Sequence, residues 1–333
     1  MARDQPTSRS TSDSLGRDPS DGSGDVRHDR RTRGGVGDAE ENTQRQASRE
    51  QEDRSYAQVI LKRWDEATRH PDDVLQMAVE RGETESQRSF VSLSLSAVSA
   101  GAILAFSAMG VGMMTTWANE FASTVLERIL VALVYPLGFV LVILSGSQLF
   151  TEHTALAIYP VLDRRTKPRS LFWVWTTVLA GNLVGCTIGA LLLAGGESVI
   201  GAAEGYAVLA EHMLSPELGP MFVSALLAGW LMALGGWLVL ATPPDFSQMV
   251  AIYIVTFLIG LGGLHHSIAG SSEVLAAVFT GTQIDTANAL LALLVVIFGN
   301  LVGGSIFVGF LNYAHIRKTQ YAEQEGPREP GGD

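Results

Sequence analysis

Two long apolar stretches of this chain are interrupted by polar segments, Ser145-Gly146-Ser147-Gln148-Leu149-Phe150-Thr151-Glu152-His153-Thr154 in the first and Gly262-Gly263-Leu264-His265-His266-Ser267-Ile268-Ala269-Gly270-Ser271-Ser272-Glu273 in the second. Each stretch exceeds the about 20 residues with which a straight helix crosses the roughly 30 Å hydrocarbon layer. Irregular backbone at that depth is tolerated only where protein or a water-filled cavity satisfies its polar groups. Because broken helices in corresponding halves of a chain mark midplane transport sites, the two breaks predict one lined path.

The apolar content of the chain predicts six membrane passages. The chain has 333 residues, of which 47% are hydrophobic, and a formal net charge of −11. Charges are rare between positions 89 and 313, where apolar runs lie near residues 89–114, 130–161, 171–194, 221–241, 249–280 and 287–313. The first residues lack the hydrophobic region of a signal peptide, so we expect the passages themselves to drive insertion. The predicted fold class is an all-α, multi-pass protein in the lipid bilayer of the cell membrane.

The loops predict which side of the membrane each terminus occupies. Four basic residues lie between positions 164 and 169, and Arg317 and Lys318 follow the sixth run. The connection at residues 195–220 contains four glutamates and neither Lys nor Arg. Since basic loops tend to stay in the cytoplasm, both termini are predicted to be cytoplasmic.

Composition also divides the chain into four segments. Residues 1–50 have few aliphatic side chains and are predicted to form a disordered cytoplasmic tail. Residues 51–88 have the spacing of amphipathic helices on the cytoplasmic face, which could gate the inner mouth or, more plainly, pack between protomers. Residues 89–315 form the predicted transmembrane channel domain, and residues 316–333 a short cytoplasmic tail.

One five-residue sequence occurs twice, as Gly181-Asn182-Leu183-Val184-Gly185 in the third passage and Gly299-Asn300-Leu301-Val302-Gly303 in the sixth. The broken passage is the second of each three-passage half, which predicts an inverted 3+3 repeat with broken second and fifth helices. Small residues also let helices approach closely. We therefore expect the third and sixth helices to pack against the broken ones through Gly181, Asn182, Gly185, Gly299, Asn300 and Gly303.

Polar residues at the breaks are the candidate functional groups. His265 and His266 lie in an apolar segment, where an ionisable side chain is expensive and is a functional candidate by default. An imidazole can donate a hydrogen bond to an anion and titrates near neutral pH. Thr151, Ser267 and the backbone amides freed at the breaks would add neutral donors.

The acidic residues of the two breaks are open to several interpretations. Glu152 and His153 could pair with each other or line the outlet of the break, and Glu152 could instead cap a helix. Glu273 is interpreted as a half-helix or interfacial residue, because an unpaired carboxylate on the path would repel an anion.

Other function classes are less favoured. Because Cys186 is the single cysteine, the sequence excludes an internal disulfide and a metal centre built from several thiolates. Cys186 itself is interpreted as a packing residue. We expect no metal, no cofactor and no nucleic-acid partner. A water channel would need paired Asn-Pro-Ala turns, which the sequence lacks. The remaining alternatives are a structural or signalling membrane protein and, less favoured, an intramembrane hydrolase using Ser147, His153 and His266.

Four motifs resemble the formate/nitrite transporter family. They are Pro136-Leu137-Gly138-Phe139-Val140-Leu141-Val142 followed by Gly146-Ser147-Gln148-Leu149-Phe150-Thr151, the Gly263-Leu264-His265-His266-Ser267-Ile268-Ala269 segment, and the two Gly-Asn-Leu-Val-Gly sequences. The similarity runs from about residue 71 to residue 313. It implies an aquaporin-like six-helix protomer, assembled as a homopentamer with one pore per protomer, that passes small monovalent anions such as formate or nitrite and is not an enzyme.

The resemblance also implies roles for individual residues. His266 would be the central pore histidine. Transport of the anion, together with protons, would then depend on pH. Thr151 would be the threonine of the broken second helix, with Leu149 and Phe150 beside it at the break. Bulky residues that narrow the pore would be Tyr135, Phe139 and Ile259.

The chain departs from the family pattern at four positions. Gln148 stands where an acidic residue is usual, and His265 stands where a glutamate often precedes the central histidine. Met213 and Gly229 stand where the family often has a lysine and an asparagine that attract and couple the anion. The resemblance is therefore to a divergent branch, and it leaves the identity of the anion open.

Overall fold

The regular secondary structure in the described part of the chain is helical. The structure is a computed structural model that describes residues 69–118, 124–243 and 246–325. No strand occurs in these ranges, and the predicted all-α fold is confirmed. The predictions for residues 1–50 and for the amphipathic segment before residue 69 lie outside the described residues.

The helices follow one another in two comparable series. The first series is α1 (Pro71–Gln87), α2 (Phe90–Ala118), α3 (Thr124–Val134), α4 (Pro136–Leu144), α5 (Phe150–Leu156), α6 (Tyr159–Leu162) and α7 (Pro168–Gly195). The second is α8 (Glu197–Ile200), α9 (Ala203–Leu214), α10 (Leu218–Ala241), α11 (Phe246–Gly262), α12 (Ser267–Phe279), α13 (Thr286–Gly304) and α14 (Leu311–Glu325). A π-helical segment, Ser305–Phe310, joins α13 to α14.

The predicted six passages are confirmed. Five spans within the described ranges are long and apolar enough to cross a membrane, namely α2, α3 with α4, α7, α10, and α13 continued to Tyr321. The sixth is the pair α11 and α12, whose axes meet at 55° across the second break. The protein is therefore a multi-pass membrane protein.

The first break separates α4 from the short helices α5 and α6, as the second break separates α11 from α12. It follows the 21 apolar residues of Thr124–Leu144. Pro136 begins α4, and its missing N–H separates α4 from α3. After the break, the short helix α5 carries Thr151.

Two close helix pairs form the frame around the breaks. α2 packs along α7, and α10 packs along α13 in the same way. A Cβ atom at Gly185 would overlap the carbonyl oxygen of Val98, and one at Gly303 would overlap that of Leu226. The partners of the repeated glycines are therefore the first and fourth passages, and the expectation that they pack against the broken helices is wrong.

The asparagine between the repeated glycines holds the break in the first half. Asn182 Nδ2 donates to the carbonyl oxygens of Ala97 and Gln148, both at 2.8 Å. Its Oδ1 accepts the backbone N–H of Phe150 at 2.8 Å. Asn182 thus satisfies backbone groups on both sides of Leu149, where the break would otherwise leave them unpaired.

Asn300 makes the same contacts in the second half. Its Nδ2 donates to Ala225 O at 2.7 Å and to His265 O at 3.0 Å, and its Oδ1 accepts the N–H of Ser267 at 2.8 Å. The inverted repeat therefore extends to individual hydrogen bonds. It makes His266 the counterpart of Leu149, so the imidazole is present in one half only.

Helix α1 packs on its own chain. Its apolar face, Val74, Leu75, Ala78 and Val79, is buried in a cluster with residues of α5, α6, α10 and α14. These contacts lie within one chain, and packing of this segment between protomers stays a prediction. α1 therefore lies over the end of the broken second passage.

Candidate functional site

The two breaks meet at a hydrogen bond between Thr151 and His266. Thr151 Oγ1 lies 2.9 Å from His266 Nε2, and both side chains are buried. His266 is the N-cap of α12, and its Nδ1 accepts the N–H of Ala269 at 3.1 Å. Because Nδ1 accepts, we assign the proton of the neutral imidazole to Nε2, which donates to Thr151. The hydroxyl proton of Thr151 is then available to a further acceptor.

Apolar side chains surround this pair on one side. Phe139 meets His266 edge to face, with ring centroids 5.1 Å apart, and Tyr135 packs on Phe139 at 5.1 Å. Ile259 is fully buried and lines the same space. An ion passing here would lose most of its hydration, which is costly for a charged species.

A cavity of about 270 Å³ ends at His266. We call it the Glu273 cavity, and its lining includes Arg128, Tyr135, His212, Ile259, His266 and Glu273. It has room for several water molecules or a small polyatomic ion. Charged and titratable side chains therefore lie next to the Thr151 and His266 pair on this side.

A much smaller space lies beside Glu152. We call it the Glu152 pocket, and its lining includes Arg81, Glu152, Leu156, Tyr159, Ala233 and Trp237. Its volume of about 10 Å³ holds roughly one water molecule. Glu152 directly follows Thr151, so this small pocket lies near the first break, and Arg81 of α1 is part of its lining.

The remaining residues predicted for the path lie around the centre. Leu149 and Phe150 are buried in the core beside the break. His265 Nδ1 lies 2.9 Å from Ser224 Oγ, and Ser267 lines a separate cavity between α7, α12 and α13. The side chains of His265, His266 and Ser267 point in different directions. Of these three, His266 is the one that contacts Thr151.

Glu273 lies deeper in the site than expected. It lies on the half-helix α12, one of the two positions considered for it, and its side chain is 5% exposed and lines the Glu273 cavity. It follows His266 by seven residues on α12, a spacing that places both on one helix face. That spacing was the sequence signal for its position.

Two further details were outside the reach of the sequence. His212 of α9 stacks on His265 with ring centroids 5.9 Å apart, and its Nε2 lies 3.1 Å from Gly263 O. His153 Nδ1 lies 2.9 Å from Leu149 O, whereas Glu152 lines the Glu152 pocket. Of the interpretations for Glu152, the one at the outlet of the break matches this placement.

Comparison with known proteins identifies the family. A sequence model described as Formate/nitrite transporter matches residues 72–314, which is most of the chain. The chain belongs to the formate/nitrite transporter family. Members of this family are channels and transporters, so the chain is a membrane transport protein and not an enzyme.

Three similar proteins illustrate the range of the formate/nitrite transporter family. Inner membrane protein YfdC of Escherichia coli (strain K12) is 30% identical over 243 residues, covering 71% of this chain and 76% of that protein. A solved FNT family ion channel has a TM-score of 0.66 at 21% identity, covering 74% of this chain and 99% of that one. A pentameric formate channel with formate bound has a TM-score of 0.59 at 22% identity, covering 68% and 98%.

The structure explains one departure from the formate/nitrite transporter pattern. Gly229, which the resemblance predicts to stand in place of the family's asparagine, faces α13, where a Cβ atom would overlap Asn300 O. A larger residue would therefore not fit at Gly229 in this packing. Met213, which the resemblance predicts to stand in place of the family's lysine, lines the Glu273 cavity and contacts Gly270.

The geometry of a serine hydrolase is not assembled. Ser147 Oγ lies 2.8 Å from Ser145 Oγ and 3.5 Å from Ser99 Oγ, whereas His266 is bonded to Thr151. Membership of the formate/nitrite transporter family also argues against a hydrolase.

Proposed function

We propose that the chain is a channel or proton-coupled transporter for small monovalent weak-acid anions such as formate or nitrite. The observation that carries this proposal is the Thr151 and His266 pair at the end of the Glu273 cavity. The similarity to a pentameric formate channel with formate bound supports both the class of substrate and a homopentamer with one path per protomer.

The Glu273 cavity would collect the anion. The Arg128 guanidinium at its rim would attract an approaching anion, although Glu127 beside it offsets part of that charge. Its volume of about 270 Å³ suits a small ion with part of its water shell.

The central pair would then recognise the anion through neutral donors. The Thr151 hydroxyl proton is free to donate to it, and the Nε2 proton of His266 polarises that hydroxyl. Neutral donors bind an anion less tightly than a fixed cation would, so the anion can leave the site again. The partial positive charge at the start of α12 acts in the same direction.

Protonation would carry the anion past the apolar wall. A neutral weak acid loses far less hydration free energy than its anion beside Phe139 and Ile259. For a proton to pass to the anion, His266 would first bind a proton from water at Nδ1, in place of the hydrogen bond from Ala269 N–H. The imidazolium would then give its Nε2 proton to the anion through the Thr151 hydroxyl and return to the neutral form. Transport would therefore depend on pH and move protons with the anion.

The proposed topology places the Glu273 cavity outside and the Glu152 pocket inside. The protein would lie in the cell membrane with both termini in the cytoplasm, since the basic loop before α7 is cytoplasmic by the positive-inside rule. Residues 1–50 and 316–333 would be cytoplasmic tails flanking the channel domain of residues 89–315. α1 would cover the inner mouth.

Anion flux into proteoliposomes tests this function. Purified protein is reconstituted, and uptake of formate, nitrite, acetate and hydrosulfide is measured between about pH 5 and pH 8. We expect selective uptake above that of protein-free vesicles for at least one anion. Folded pentamers that carry none of them at any pH would contradict the proposal and favour a structural or signalling role.

The Thr151→Val substitution removes the central hydroxyl while preserving the shape of the side chain. We expect it to lower the flux of the transported anion by about 5- to 10-fold, because about one hydrogen bond to the passing anion is lost. The control is Thr176→Val, an exposed threonine of α7. Equal flux in the two variants would show that the hydroxyl does not contact the anion.

A further inference from the structure

Glu273 is a buried carboxyl for which the path described above has no role. Its side chain lines the Glu273 cavity and is almost fully buried. Within residues 69–118, 124–243 and 246–325, no Lys, Arg or His forms an ion pair with it. A buried carboxylate without such a partner is costly, whereas the protonated carboxylic acid is far less so.

The neighbouring groups do not supply a fixed countercharge. The charged and titratable side chains that share the cavity with Glu273 are Glu127, Arg128, Tyr135, His212 and His266. Arg128 is exposed, and the acidic Glu127 directly precedes it in the same cavity lining. His266 is committed to Thr151.

The other helices packed against α12 add no cation either. The titratable group of α7 on this side is Cys186, which is bonded to Ile268 O at 3.4 Å. α2 contributes the uncharged Val111 and Thr115 to the cavity, and Glu152 of α5 faces the separate Glu152 pocket. The charge state of Glu273 is therefore set by proton exchange with the cavity.

An anion in this cavity meets Glu273 before it reaches His266. The two residues lie seven positions apart on α12, about 10 Å along the helix axis. An ionised Glu273 would repel an anion held between them, because Coulomb energies at such distances are large in a poorly screened cavity. A protonated Glu273 would instead donate an O–H hydrogen bond.

We propose that Glu273 is a proton-binding site whose carboxylic acid form admits the anion to the cavity. This inference rests on the anion transport proposed above. A proton from solvent binds one carboxylate oxygen, and the resulting O–H donates to the anion. Loss of the proton removes that donor and restores a repelling charge, so Glu273 acts separately from the central histidine.

The test compares nitrite flux in wild type and Glu273→Gln proteoliposomes. Glutamine mimics the protonated carboxyl and cannot titrate. We expect the fall in flux between about pH 5 and pH 8 to be about 10-fold larger in the wild type than in the variant, whose remaining pH dependence comes from the anion and the central pair. The gain of flux at alkaline pH is the diagnostic result, since a merely damaged protein would lose flux at every pH.

Two matched variants accompany this comparison. Glu273→Asp keeps a titratable carboxyl and should restore the pH dependence. Glu204→Gln changes an exposed glutamate of α9 and should leave the wild-type profile intact. Equal pH profiles for wild type and Glu273→Gln would overturn the inference.

Infrared difference spectra between acid and alkaline samples give a readout that does not need transport. The wild type should show a carboxylic acid C=O band that disappears in Glu273→Gln and persists in Glu204→Gln. Absence of that band in the wild type would overturn the inference while leaving anion transport standing. A wild type without flux would instead contradict the proposed function, and the band would then report the proton at Glu273 alone.

Discussion

The Asn300→Leu variant is expected to lose about 3 kcal/mol or more of folding free energy. Leucine resembles asparagine in size but leaves Ser267 N–H and His265 O without their partner, and it removes the second hydrogen bond to Ala225 O within helix α10. Each buried polar group left unsatisfied costs about 1–3 kcal/mol. We expect a marked drop in the midpoint of thermal unfolding in detergent, together with loss of the irregular backbone that presents His266.

Asn288 provides the matched control for this prediction. It lies near the start of the same helix, α13, where its side chain is exposed. Asn288→Leu should change the unfolding free energy by less than about 0.5 kcal/mol, as is usual for surface substitutions. Similar stability of the two variants would mean that Asn300 does not hold the second break.

The Gly303→Ala variant is expected to lose about 1–3 kcal/mol through overpacking, or more if the helices cannot separate. The added methyl group would overlap Leu226 O and would lie 2.8 Å from the backbone nitrogen of Trp230. Backbone atoms cannot turn aside as a flexible side chain can, so α13 and α10 must move apart. Thermal unfolding of the purified protein measures the loss.

Gly219→Ala is the control for helix propensity. Gly219 lies in the first turn of α10, and no atom would lie within 4 Å of its added methyl group. Alanine should therefore be neutral or stabilise by up to about 1 kcal/mol. A Gly303→Ala protein as stable as Gly219→Ala would contradict the close packing of α10 and α13.

The sequence predicted the passages because hydrophobic length and broken polar segments follow from the physics of the bilayer. Six apolar runs, two breaks and a repeated Gly-Asn-Leu-Val-Gly are visible without coordinates. The repeat located Asn182 and Asn300, but it did not reveal that their side chains bond the broken backbone. That role depends on contacts between residues more than 30 positions apart.

The direction of side chains at the second break could not be read from the sequence. His265, His266 and Ser267 are consecutive and polar, and each was a candidate for the path. Only backbone geometry at the start of α12 decides that His266 faces Thr151 while His265 faces Ser224.

Glu273 shows a second limit. Its distance of seven residues from His266 was visible, but the expected repulsion of an anion argued against a place on the path. That argument assumed an ionised carboxylate. Burial changes the balance between the two forms, and burial is a property of the packed helices.

Flux of the transported anion through His266→Ala tests the central claim most directly, with His315→Ala, at an exposed histidine of α14, as the control. Both variants are reconstituted at equal pentamer density, and uptake is followed between about pH 5 and pH 8. We predict that His266→Ala alters both the rate and its pH dependence, whereas His315→Ala behaves as wild type. Unchanged flux and an unchanged pH profile in His266→Ala would contradict a path through the Thr151 and His266 centre.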